Sequence, residues 1–306
     1  MNKKLIAILA VLTLIAPVAA KANTPQQPTI AILDTAVDMT VPGIAKNVVY
    51  EVCVMEVPLC PNSKTIMEGP GSATFQHPFV AQNGFEHGTQ MVYAAISANP
   101  NVRIVFVRII GNTLSGGRAM AGTKTVENAL DWVIQNKERF NIQAVSMAQS
   151  HHNLGPAGTD YCPKNTYVIN QLNTLKSINV GVFFPAGNLR DYSRISWPAC
   201  NTESISVGAT MPTGEVAIYS NYDSARIDFV ALGTMRLTSA GNRQVNVAGT
   251  SAATQIAATN WFTVRQAKPN LGYQETLDLL NRTAIITKNS RVSGAKLINV
   301  NGALNG

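Results

Sequence analysis

Four stretches of this sequence place reactive side chains where chemistry would need them. Ile30-Ala31-Ile32-Leu33 runs straight into Asp34-Thr35-Ala36-Val37-Asp38. A carboxylate after four apolar residues is costly to bury unless something pairs with it; otherwise Asp34 caps a turn. Phe85-Glu86-His87-Gly88-Thr89-Gln90-Met91-Val92 puts one of four histidines at the start of a helical pattern, beside a glycine that permits close backbone approach. Phe183-Phe184-Pro185-Ala186-Gly187-Asn188 is an apolar run that passes through small residues to an amide. Asn188 is either a turn residue or a donor aimed at a developing oxyanion, where such a donor is worth about 3–4 kcal/mol. Val247-Ala248-Gly249-Thr250-Ser251-Ala252-Ala253 sets Ser251 at the N-terminus of an apolar helix. A serine there caps the helix, or it is a nucleophile if a general base stands across from it, because free N–H groups and the helix dipole favour negative charge.

The elements that must position these side chains alternate in period. Buried parallel strands are predicted at Thr29–Leu33, Val102–Ile110, Ile142–Met147, Val180–Phe184 and Ser204–Ala209. Helices are predicted at Gly88–Ala98, Thr125–Phe140, Thr166–Ile178, about Thr250–Gln266 and Gln274–Asn281, the last two after a polar loop ending near Val247. This alternation implies an α/β fold: a doubly wound, mostly parallel sheet with helices on both faces, and one domain after the leader. In such folds function gathers at the carboxyl ends of strands, where all four stretches fall.

Together and in this order, the four stretches resemble the subtilisin-like serine peptidase (subtilase, S8) family. Lesser matches are Val145-Ser146-Met147, Ile205–Ala209, and Tyr219-Ser220-Asn221 with Asp228, so the likeness spans about Ile30 to Ala258. The chain order Asp, His, Ser is that of subtilisin. The resemblance implies a subtilisin-like fold and a serine endopeptidase. Ser251 would be the nucleophile, His87 the general base and then acid, Asp34 its orienting carboxylate, and Asn188 an oxyanion donor with the Ser251 N–H. Met147, Ala148 and Gln149 would pair with an extended polypeptide substrate.

The sequence also departs from the family. Ala36 replaces a usual glycine after the aspartate, and Gln255 replaces a usual proline in the nucleophile's helix, which implies a less rigid helix start. Ser150 and Pro185 add bulk along the substrate path, implying restricted specificity. Ala252 stands where many relatives carry an oxidisable methionine. Between Ala22 and Asp34 there is no room for the family's pro-segment, so folding is unaided or an inhibitor or folding partner acts in trans. The family's calcium loop after the His helix is missing at Asn99-Pro100-Asn101. No cofactor is expected; calcium elsewhere stays open, with no site identified. The rival readings are a catalytically silent fold used as a peptide-binding or interaction module, and hydrolysis of esters, against which the GxSxG elbow is absent.

Composition narrows the setting. The chain has 306 residues, 46% hydrophobic and 13% charged, which excludes a disordered chain. Its formal charge of +7 is partly that of Lys3, Lys4 and Lys21, and the other cations are scattered, so nucleic acid is not an expected partner. Met1–Ala22 has a basic start, an apolar stretch Leu5–Ala20 broken only by Thr13, and small residues before a break in pattern. This is a secretory signal, cut before Asn23 or earlier before Lys21; an uncleaved anchor would be slightly short for a bilayer. The mature domain, 23–306, is then secreted or periplasmic and free of the membrane. Four cysteines in an oxidising compartment allow three pairings; Cys53–Cys60 and Cys162–Cys200 are favoured because each closes a segment poor in apolar residues. No CxxC spacing supports zinc. His151-His152, adjacent and therefore on opposite faces of any strand, do not share an ion.

Overall fold

The apolar runs become strands because they pair side by side and are covered on both faces. The computed structural model describes residues 27–74, 84–112, 118–119, 121–150, 162, 166–287 and 291–306. The expected leader and its cleavage sites, and the pair His151-His152, lie outside the described residues.

In chain order the first elements are β1 (Thr29–Asp34), α1 (Ile44–Asn47), β2 (Val48–Val54), β3 (Ile66–Glu68) and α2 (Glu86–Ala98). Next come β4 (Ile104–Arg108), the short pair β5 (Gly111–Asn112) and β6 (Arg118–Ala119), α3 (Thr123–Phe140), β7 (Ile142–Met147), α4 (Thr166–Ser177) and β8 (Gly181–Pro185). The remainder holds β9 (Ile205–Thr210), β10 (Phe229–Leu232), the antiparallel pair β11 (Thr234–Ser239) and β12 (Arg243–Ala248), α5 (Thr250–Ala267), α6 (Tyr273–Thr283), β13 (Ile285–Ile286), β14 (Lys296–Leu297) and α7 (Val300–Asn305).

Among the described residues, ten strands form the central sheet in the order β13-β14-β10-β9-β8-β7-β1-β4-β2-β3. Pairing is parallel from β14 to β2, and antiparallel only where β13 and β3 close the edges. Along β1, Ile30 and Ile32 pack into one core layer with α2 and α5, while Ala31 and Leu33 pack into the other with α3 and α4. Both faces are therefore apolar, which is why such strands read as continuous apolar runs. The winding reverses beside β1, which lies between β7 and β4, so a crevice opens outside the carboxyl ends of β1 and β7. Asp34 ends β1 at that point.

Helix α5, which carries Ser251 in its first turn, is buried for most of its length, with Ala252, Ala253, Ala257 and Ala258 letting it approach the strands closely. The segment predicted to be a polar loop before Val247 is instead the β11–β12 hairpin. On β12, Val245 and Val247 are half-buried between exposed Gln244, Asn246 and Ala248, the period-2 pattern of a strand with one covered face. Cys53 is bonded to Cys60 and Cys162 to Cys200. Among the described residues, no helix is long and apolar enough to cross a membrane.

Candidate active site

Asp34 is fully buried at the end of β1, and its Oδ1 accepts from the Thr35 backbone N–H at 2.7 Å. His87 Nδ1 lies 2.8 Å from the same oxygen. The buried carboxylate accepts a hydrogen bond from Nδ1–H, which selects the tautomer with its lone pair on Nε2; the side chain is 27% exposed. Thr35 locks the two motifs together, because its Oγ1 donates to the Phe85 carbonyl at 2.8 Å and accepts from the Gly88 N–H at 2.9 Å. That grip brackets His87.

Gly88 lets the first turn of α2 lie against the turn after β1. A Cβ there would stand 2.3 Å from the Ala36 carbonyl oxygen and 2.7 Å from Phe106 Cζ. The backbone oxygen cannot turn away as a flexible side chain does. Gly88→Ala is therefore expected to cost about 1–3 kcal/mol of stability, by overpacking. A lower urea midpoint at unchanged slope checks this; an unmoved midpoint would contradict the contact.

Asn188 follows Gly187, whose φ of +105° suits glycine and where a Cβ would fall 2.2 Å from Ser196 Oγ. Asn188 Oδ1 accepts from the Thr250 N–H at 2.9 Å and from Thr250 Oγ1 at 3.0 Å. Thr250 Oγ1 in turn accepts from the Gly187 N–H at 3.2 Å. Only the carbonyl end of an amide accepts from a backbone N–H, so the NH₂ end is the one left for another partner. Ser251 follows in the first turn of α5, and its hydroxyl donates to the Ala148 carbonyl at 3.0 Å.

His87, Asn188 and Ser251 line one cleft of about 350 Å³ with Gln90, Met91, Val245, Asn246, Val247, Ala248, Gly249 and Ala252. The fold thus brings three of the expected residues to one cavity, and Asp34 behind it. The sequence reading missed the β12 wall; the alternation in Arg243–Ala248 was the signal for it. Met147, the last residue of β7, turns its side chain into the core; beyond it Ala148 offers its carbonyl to Ser251, and Gln149 Nε2 lies 3.5 Å from Asp34 Oδ1 and 3.4 Å from His87 Nδ1.

One departure gains a physical account. Gln255 is fully buried, and Ser146 Oγ of β7 donates to its Oε1 at 2.5 Å, so a side-chain bridge holds the first turns of α5 to the sheet. Its Nε2 is buried and has no hydrogen-bond partner among the described residues. Pro185 is buried at the end of β8. On β4, in register with Asp34, Arg108 is fully buried over the Phe85 ring, with its Nε donating to the Ile110 carbonyl at 3.0 Å. Burial pushes its guanidinium down to about 10, so it is still a cation at neutral pH. No group of three or more metal-ligating side chains occurs among the described residues.

The sequence matches the family described as the subtilase family, peptidase S8, over residues 26–303. No curated protein sequence matches it. Among solved structures, it is similar to a cold-adapted subtilisin-like serine proteinase at 22% identity, covering 89% of this chain and 88% of that one with a TM-score of 0.64. It is similar to the prenylagaramide maturation protease PagA at 16% identity, covering 92% and 93% with a TM-score of 0.66. A lanthipeptide protease is similar at 15% identity, covering 92% and 88% with a TM-score of 0.67. At these identities the likeness is one of fold.

Proposed function

The chain belongs to the subtilase family, and on that premise we propose that Ser251, His87 and Asp34 form the catalytic triad of a secreted endopeptidase. It is a serine endopeptidase, and its substrates are polypeptides. In the proposed reaction, Ser251 Oγ attacks the scissile carbonyl carbon while His87 Nε2 takes the hydroxyl proton. Asp34 holds the imidazole by Nδ1 and stabilises the imidazolium that forms. The tetrahedral oxyanion is held by the Asn188 NH₂ and the Ser251 N–H. As the intermediate collapses, His87 returns the proton to the leaving amine; water then repeats the sequence on the acyl-enzyme.

The observation that carries this reading is the 2.8 Å contact between His87 Nδ1 and the wholly buried Asp34. A buried carboxylate on an imidazole that faces a cleft shared with a serine is costly to keep for packing alone. A fluorophosphonate probe should label the native protein at Ser251, read by peptide mass mapping. A folded protein that takes no label would point instead to a silent peptide-binding module.

Pro185 and Ser150 support a restricted substrate range, and the structures sharing this fold include proteases named for single peptide classes. The two disulfides accord with an oxidising compartment, reached through the proposed leader 1–22. Ala252, next to Ser251 in the chain, brings no thioether to the cleft, and Met91, which also lines it, is only 2% exposed. Turnover is therefore expected to survive mild peroxide, and Ala252→Met to lose activity over the same exposure. Equal, rapid loss in both proteins would refute the point.

A further inference from the structure

Resting on the triad reading, we propose that Gln149 is a positioning residue that keeps His87 unprotonated, and so competent as a base, at lower pH than the Asp34–His87 pair alone would allow. Gln149 lies just beyond β7, on the segment expected to pair with substrate through its backbone. Its side chain is turned to the dyad. Nε2 is 3.5 Å from Asp34 Oδ1 and 3.4 Å from His87 Nδ1. Beside a carboxylate oxygen, the amide presents its NH₂ end.

Two effects follow, and they have the same sign. The NH₂ is the positive end of the amide dipole, and at this distance from the ring it disfavours an imidazolium. Asp34 Oδ1 already receives the Thr35 N–H at 2.7 Å and faces His87 Nδ1 at 2.8 Å; a third N–H directed at it weakens its hold on the ring proton. Because Gln149 carries no charge at any working pH, the bias is constant. The charged groups from surrounding elements are Asp34 of β1, Glu86 beside His87 on α2, Arg108 of β4 over the Phe85 ring, exposed Arg236 of β11, and Asp38. The Asp38 carboxylate accepts from Thr40 and the Gly241 N–H. Among the described residues, the cleft wall adds the neutral Gln90, Asn188, Asn246 and Ser251 to the polar groups around His87. All of these stay in place when Gln149 alone is changed.

The test is the pH dependence of labelling by a small fluorophosphonate, which has no peptide to pair with the segment and so reports the dyad itself. Gln149→Leu, which removes the dipole at similar volume, should move the acid midpoint of the labelling rate up by roughly half a unit to one unit. Gln149→Glu, which puts a carboxylate there, should move it further up, and Gln149→Asn, which withdraws the amide by one methylene, should move it up less. Thermal melts of the variants show that each is folded. Midpoints that rise in the order native, Asn, Leu, Glu support the assignment. Midpoints that coincide with the native one, or fall, overturn it, even if peptide KM changes, because Gln149 would then be only a substrate contact. Absence of labelling in the native protein would remove the triad reading and this assignment with it.

Discussion

Ser251→Ala should lower kcat for peptide hydrolysis by about six orders of magnitude, and His87→Ala by nearly as much. In the proposed reaction the hydroxyl is the bond-forming group, and among the described residues no other cleft side chain replaces it: Gln90, Asn188 and Asn246 are amides, and Met91, Val245, Val247 and Ala252 are apolar. The fold should hardly notice. The Ser251 hydroxyl makes one part-buried hydrogen bond, to the Ala148 carbonyl, worth about 1 kcal/mol. The double variant should be no worse than either single one, because nucleophile and base act as a unit. Asp34→Asn should cost about four orders of magnitude, since a carboxamide at that buried position no longer selects the tautomer with its proton on Nδ1. Single-turnover kinetics on a quenched fluorescent peptide, with each variant purified apart from host peptidases, gives all four numbers. If Ser251→Ala keeps a hundredth of the native rate, or if the losses multiply in the double variant, these residues are not one machine.

The parts of this site that were legible in the sequence share a physical reason. β1 reads clearly because both its faces are buried, so Ile30–Leu33 is unbroken apolar text and Asp34 stands out as the charge that ends it. β2 does not, because Tyr50 and Glu51 interrupt it. Glu51 is nonetheless buried, its carboxylate accepting from the Gly71 and Ala73 N–H groups and the Thr74 hydroxyl, and Tyr50 stacks on Trp132 and Phe140 of α3. A charge satisfied by a loop about twenty residues on looks, in sequence, like a charge in water. The same holds for Gln255. Its compensation is Ser146, far away in the chain and visible only once β7 and α5 are in contact. Gln149 was named as a substrate contact from its place in a motif, yet nothing local to it shows the side chain turning to Asp34. The β12 wall is hidden because Val245 and Val247 are single apolar residues between exposed ones, whereas β1, β4, β7, β8 and β9 read as apolar runs. Motif order names the proposed reactive groups; their neighbours Thr35, Thr250 and Gly187 act through contacts that only the fold creates.

That orienting shell leads to a second large effect, at Asn188. If the amide donates to the oxyanion, Asn188→Ala should lower kcat by about 10²- to 10³-fold while KM stays close to native, because the donor serves the tetrahedral intermediate and not the ground-state carbonyl. Thr250 sharpens the test. Its N–H and Oγ1 both donate to Asn188 Oδ1, and its Oγ1 also takes the Gly187 N–H. Thr250→Val removes the hydroxyl and keeps the N–H, so the amide loses one of two tethers but not its place. A hydrogen bond worth about 1 kcal/mol then predicts a loss of roughly five-fold in kcat, well short of that at Asn188. In Asn188→Ala the amide that Thr250 steadies is gone, so adding Thr250→Val should change kcat little. That non-additivity is what separates orientation from packing. A rise in KM with kcat intact would instead place Asn188 in ground-state binding. Two fully multiplicative losses would mean that Thr250 acts on α5 and Ser251 rather than through the amide.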